Sequence, residues 1–150
     1  MSETVVIRPL TAADREAWLG LWRGYLDFYN AKVPAGVDDV TFSRLTGGDE
    51  PMGGFLAERD GVALGMVNWV IHRSTWNEKN ICYLQDLFTV AEARGGGIGR
   101  KLIAAVNQMA RENDCFRVYW MTHESNLQGQ ALYDKVADKP GFIIYRQPLG

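Results

Sequence analysis

The stretch LFTVAEARGGGIGRKLIAAV, Leu87 to Val106, sets Gly95, Gly96, Gly97 and Gly99 between an apolar run and a strong helix former. Glycine costs ~0.5–1 kcal/mol relative to Ala inside an ordered element, so such a cluster implies a group that approaches bare backbone. A strand entering a glycine-rich turn and then a helix N-terminus offers outward N–H groups at the positive end of a helix dipole, a seat for phosphate. Two phosphate signatures fail here. The P-loop requires Ser or Thr after Gly-Lys, whereas Gly99 is followed by Arg100, Lys101 and Leu102. The dinucleotide fingerprint requires glycine at its sixth position, where a start at Gly95 puts Arg100. A third pattern, Arg/Gln-x-x-Gly-x-Gly/Ala, is matched in full by Arg94-Gly95-Gly96-Gly97-Ile98-Gly99.

Groups able to move a proton near this stretch are few. Asp86 and Glu124 are the nearby carboxylates, and His123 is the imidazole close by in sequence. Asp86 reads either as a base, directly or through water, or as a structural carboxylate bonded to its neighbours. His72 and His123 read as satisfied or solvent-facing. Cys82 and Cys115 show no metal or disulfide spacing and read as reduced thiols. No metal is expected.

The chain that must position these groups has 150 residues, 47% hydrophobic and 23% charged, with net charge −2. One globular domain, 1–150, is expected. The small charge gives no global field for nucleic acid, so no nucleic-acid partner is expected. The N-terminus lacks a basic leader with an apolar core, and no apolar run has membrane length. A cytoplasmic protein without a membrane partner is expected.

The pattern alternates strand and helix. TVVIRPL reads as a strand, and Thr11 with Asp14 as a capping box. Trp18, Leu21, Trp22, Tyr25 and Tyr29 then recur at helical spacing as a core stripe. KVPAG breaks this helix, and Asp38 opens a shorter one ending at Gly47-Gly48. GFLAERDGVALGMVNWVIHR reads as a hairpin turning at Asp60-Gly61. NICYLQDLFTV is a strand, Gly97 to Asn113 a helix with Ile98, Leu102, Val106 and Met109 on one face, and FRVYWMT a strand. NLQGQALYDKV is a helix and FIIYRQP a last strand. This order suggests α+β with a mixed sheet.

The chain resembles the GNAT superfamily of acyl-CoA-dependent N-acetyltransferases across most of its length, from the first strand to the last, and most strongly from Tyr83 to Tyr133. The glycine pattern is one match. YLQDLFTV sits where that family places its central splayed strand, ESN ending in Asn126 follows the next strand, and Tyr133 lies seven residues beyond Asn126. VYWMTHESN with ALYDKV is similar to the branch of small histone and D-amino-acid N-acetyltransferases, the polyamine enzymes being more distant. The resemblance implies a mixed, largely antiparallel sheet of six to seven strands with about four helices. It implies acetyl-CoA as co-substrate, with its pyrophosphate on the backbone of Arg94, Gly95, Gly96, Gly97, Ile98, Gly99 and Arg100. Leu87, Phe88 and Thr89 would pair with the pantetheine arm, Asn126 would bond it, and Tyr133 would stand beside the sulfur as general acid. A backbone N–H near Phe88 would meet the oxyanion.

On this reading an amine attacks the thioester directly. A lysine-type ammonium, pKa ~10.4, must first lose a proton, and Asp86 is the candidate base. Gln85 stands where polyamine enzymes carry an acid, which points away from polycations. Gln85, Trp76 and Glu124 are candidate acceptor-site residues, and RSTWNEKN is a wall of that site or a subunit contact. The expected acceptor is a small-molecule amine or a protein lysine, and the expected assembly a homodimer. The alternatives are a non-catalytic acyl-CoA-binding module, a polyamine N-acetyltransferase, and a nucleotide-binding domain that the missing P-loop hydroxyl disfavours.

Overall fold

A computed structural model of the chain describes residues 4–150. Five strands form one sheet, ordered β1-β2-β3-β4-β5: β1 Val6–Pro9, β2 Met52–Arg59, β3 Val62–His72, β4 Asn80–Thr89 and β5 Cys115–Tyr119. The helices are α1 Arg15–Phe28, α2 Val37–Gly47, α3 Ile98–Glu112 and α4 Leu127–Val136. Strands β1 to β4 pair antiparallel. β5 runs parallel to β4, and α3 is the crossover that a parallel pair requires. The chain divides into two compact units, Met1–Trp120 and Met121–Gly150. The first holds the sheet with α1 to α3, and the second holds α4.

Local chemistry sets these boundaries. The Thr11 backbone N–H and hydroxyl both donate to Asp14 Oδ2, at 2.8 and 3.0 Å, and lead through a 3-10 turn into α1. Along α1, Trp18 stacks on Trp22 at 5.2 Å and Trp22 on Tyr25 at 5.6 Å. Trp18, Leu21 and Trp22 are buried with Phe42, Leu45, Leu56 and Met66 in the core between α1, α2 and the sheet. Gly24 lets α1 lie against β4, since a Cβ there would meet the Phe88 ring at 2.9 Å. On the other face α3 buries Ile98, Leu102, Ile103, Val106 and Met109. Asp60 and Gly61 turn the β2–β3 hairpin with φ of 50° and 79°, the positive pair of a type I′ turn.

The sheet departs from expectation in strand number: five form among the described residues, where the resemblance implies six to seven. FIIYRQP forms no strand, and its Phe142, Ile143, Ile144 and Tyr145 are 77%, 74%, 59% and 87% exposed. Strand-forming composition is necessary for a strand, but a ladder partner is what makes one. β5 likewise stops at Tyr119, short of the full FRVYWMT run.

Candidate active site

The parallel pairing of β4 with β5 runs from Asn80↔Cys115 to Tyr83↔Tyr119 and goes no further. Within this unit, Leu84 to Thr89 therefore pair with β3 alone, and the opposite edge of β4 carries backbone donors and acceptors with no strand beside them. Leu87, Phe88 and Thr89 lie on that edge, opposite Val67, Met66 and Gly65 of β3. An extended chain of amides is the natural complement to such an edge.

Just past the last rung the β3–β4 register slips: Trp69 pairs with Leu84 and Asn68 with Asp86, leaving Gln85 as the extra, exposed residue of a bulge. A bulge re-aims the side chains after it. Here it brings Asp86 onto the sheet face of Tyr83, where simple alternation would have put Gln85. Asp86 meets a polar network on that face. The Trp18 indole donates to Asn68 Oδ1 at 3.0 Å, so Asn68 turns its amide N–H to Asp86 Oδ2 at 3.0 Å. The Tyr25 hydroxyl lies close enough to favour the charged form of Asp86. Burial pushes the Asp86 carboxyl up from its ordinary value, against the pull of the Asn68 bond and the Tyr25 hydroxyl. Burial and the Asp86 charge raise the hydroxyls of both Tyr25 and Tyr83. A carboxylate with a raised pKa is a better proton acceptor near neutrality than an ordinary one.

β4 leads into the glycine loop. Gly95 and Gly97 have φ of 87° and 83°, which only glycine adopts freely. A Cβ on either would meet nothing within 4 Å, and one on Gly96 would meet the Ala93 carbonyl at 3.5 Å, so the space above the loop is open. Gly97 is the N-cap of α3 and has no side chain to cap with; the first intrahelical bond comes from Lys101 N–H to Gly97 O at 3.1 Å. The N–H groups of Ile98, Gly99 and Arg100 precede it, as at any helix start. The first turn carries no acid, and Arg100 is exposed while Ile98 is buried. The Arg94 N–H is occupied, donating to Ala91 O at 3.4 Å. Its guanidinium turns back to Thr89 O at 3.0 Å, over the Phe28 and Phe88 rings at 5.2 and 5.6 Å. Arg94 thus ties the loop to β4.

In the second unit, Asn126 caps α4. Its Oδ1 accepts from Gly129 N at 3.2 Å, and its amide donates to Thr122 Oγ1 at 2.9 Å. Tyr133 is half-buried, two helical turns further on the same face. Glu124 is exposed before the helix, its carbonyl accepting from Gln130 at 3.0 Å. His123 Nδ1 accepts from Ser125 N at 3.1 Å, a turn-forming role. In the first unit, Trp76 lies in the β3–β4 loop, 73% exposed, with the Arg117 guanidinium 5.6 Å from its ring. The thiol of buried Cys82 is pushed up to about 12 by burial, which removes it as a nucleophile. Among the described residues no cluster of three His, Cys, Asp or Glu side chains could hold a metal, and no helix is long and apolar enough to cross a membrane.

Sequence reasoning missed Tyr25, Asn68, Tyr83 and Tyr119, while His72 is hydrogen-bonded and exposed, as its reading as a satisfied or solvent-facing residue anticipates. Tyr25 was hidden in an apolar stripe. Asn68 carried a signal, a lone amide within MVNWVI, since a buried amide inside a strand must bond something.

A family model described as "Acetyltransferase (GNAT) family" matches residues 18–137. The chain is 33% identical to a D-amino-acid N-acetyltransferase of Saccharomyces cerevisiae over 149 residues, 98% of this chain and 92% of that one. It is 25% identical to an aminoglycoside N(6')-acetyltransferase type 1 of Salmonella enteritidis, covering 94% of this chain and 97% of that one. In fold it is similar to the aminoglycoside acetyltransferase AAC(6')-Iy in complex with a CoA bisubstrate analogue, with TM-score 0.86 and 20% identity over 99% of this chain and all of that one. The splayed fourth strand, the glycine loop that opens α3 and a family match across most of the length agree: this chain belongs to the GNAT acetyltransferase family.

Proposed function

We propose that residues 1–150 act as one N-acetyltransferase domain that passes the acetyl group of acetyl-CoA to a primary amine by direct attack. One observation carries the reading: a strand edge without a neighbouring strand, Leu87 to Thr89, runs through open glycines into the uncapped start of α3, beside a half-buried carboxylate, Asp86. The site fits acetyl-CoA on the chemistry of its donors. The pantetheine amides would lie along Leu87, Phe88 and Thr89, and the pyrophosphate over Gly95 to Arg100. The co-substrate supplies an activated acyl group as a thioester.

Asp86 takes the proton that the acceptor ammonium must lose. A backbone N–H of β4 near Phe88 would donate to the developing oxyanion. Tyr133 gives its hydroxyl proton to the departing thiolate, and Asn126 orients the pantetheine arm from the same face of α4. The acceptor is an amino acid, a small amine or a protein lysine, with Gln85, Trp76 and Glu124 at its site. The small-amine acetyltransferases among the relatives support that class. We further propose a cytoplasmic homodimer, and the exposed apolar run from Phe142 to Tyr145 favours self-association. Light scattering that finds only a monomer removes that assembly.

The deciding experiment measures free thiol release from acetyl-CoA over a panel of amino acids of both hands, monoamines, polyamines and histone peptides. Turnover with any of these amines supports the reading. Tight acetyl-CoA binding without turnover on the whole panel replaces it with an acyl-CoA-binding module.

A further inference from the structure

The end of β3 is fastened to the end of β5 across β4. His72 Nδ1 lies 2.7 Å from the Arg73 carbonyl oxygen. A carbonyl only accepts, so Nδ1 carries the hydrogen. In the neutral ring Nε2 then holds a lone pair, and the Tyr119 hydroxyl 2.8 Å away donates to it. The Tyr119 ring meets His72 edge-on at 5.7 Å and stacks on Tyr83 at 4.8 Å with 13° between planes. Tyr83↔Tyr119 is the last rung before β4 and β5 part. The position of this clasp is therefore the fork itself.

The clasp shares a face with the candidate base. His72 and Asn68 are four residues apart on β3 and point the same way. Tyr83 opposes Val70 and Asp86 opposes Asn68, so Tyr83 and Asp86 share that face as well. Tyr83 is near enough to Asp86 for the carboxylate charge to raise its hydroxyl.

We propose that His72 is a positioning residue of the acceptor site, which holds the Tyr119 hydroxyl hydrogen so that the Tyr119 oxygen can only accept a hydrogen bond from the incoming amine. An ammonium has donors and no acceptor, so a hydroxyl with its hydrogen already committed suits it and disfavours a carbonyl competitor, which can only accept. His72 also fixes the Tyr119–Tyr83 stack that walls the fork. This rests on the proposed acetyl transfer.

The test compares His72→Phe, Tyr119→Phe, their double variant and His72→Gln, with imidazole nitrogen NMR on the wild type and Tyr119→Phe. Each Phe variant is expected to raise the acceptor KM about 3- to 10-fold, the scale of one hydrogen bond, with the acetyl-CoA KM unchanged. The double variant should be no worse than either single, and His72→Gln, which keeps an amide at the ring-nitrogen position, should recover most of the loss. The spectrum should show one tautomer, protonated at Nδ1, whose Nε2 signal shifts in Tyr119→Phe. Unchanged acceptor KM, equal effects on both substrates, or additive losses overturn the proposal. If the wild type acetylates no amine, the acetyl-transfer reading fails and the spectrum decides the clasp: an Nε2 signal unmoved in Tyr119→Phe overturns it.

Discussion

In the proposed mechanism, Tyr133 and the loop glycines are the residues on which the chemistry depends most directly. In Tyr133→Phe the ring and its packing remain and only the proton donor is lost. Turnover is expected to fall ~10²–10⁴-fold, the usual share of a general acid, with acetyl-CoA affinity nearly unchanged. Single-turnover rates and a binding titration check both parts, and wild-type turnover would make Tyr133 structural. The glycines separate two effects. Gly96 lies outside the left-handed region, and its β-position is bounded only by the Ala93 carbonyl at 3.5 Å. Gly96→Val should therefore leave the melting temperature near the wild-type value while its side chain stands over the N–H groups. Acetyl-CoA affinity should drop at least tenfold, ~1.4 kcal/mol. At Gly97, φ is 83°, so Gly97→Val should weaken binding and also destabilise the fold by ~1–3 kcal/mol. Calorimetry on the pair decides: unchanged affinity in folded Gly96→Val removes phosphate from the loop.

Among the elements, α1 depends on how its entry is held. Asp14 is 8% exposed and accepts from Arg8 at both oxygens, 2.8 and 2.7 Å, while Arg8 also reaches Glu58 at 2.6 Å. The Arg8 guanidinium holds the Asp14 carboxyl well below the usual carboxylate range. A depressed folded pKa stabilises fully above the unfolded value of ~3.9, and that contribution fades as pH falls toward the folded value. Asp14→Asn should thus cost ~1–3 kcal/mol near neutral pH and distinctly less near about pH 2.5. Urea midpoints at the two pH values check this, and equal losses would show that the ion pair contributes nothing. The same elements show what a sequence displays. Local signals survived folding: the Thr11–Asp14 box, the Asp60-Gly61 turn and the α3 stripe all appear where the residues place them. Pairing-dependent features did not. The bulge at Gln85 and the clasp from His72 to Tyr119 depend on register between distant strands, which no local window contains. FIIYRQP lacked a neighbour for the same reason. Asp86 was legible as a carboxylate on a core strand, but not its Asn68 and Tyr25 partners, which arrive from β3 and α1.

For the whole molecule the question is which amine it serves, and at what pH. A polycation needs several desolvated carboxylates, one for each buried ammonium. The face at the fork offers Asp86, while the bulge position that an acid could fill is Gln85, exposed and uncharged. A monoamine should therefore be acetylated with higher catalytic efficiency than spermidine. The pH profile follows from the proton each group must hold. In the proposed role of base, Asp86 has to be ionised to take the ammonium proton, and burial raises its pKa, so kcat/KM should climb with pH through a limb above the ordinary carboxylate range. It should climb further as the amine itself deprotonates toward ~10.4, and fall where the proposed tyrosine acid loses its proton. Asp86→Asn should abolish the lower limb and leave the upper one. An unchanged lower limb in that variant would return Asp86 to a structural role. If spermidine proves much the better substrate, the acceptor reading is wrong, and Gln85→Glu becomes the informative variant: a further gain with spermidine would locate the preference at the bulge.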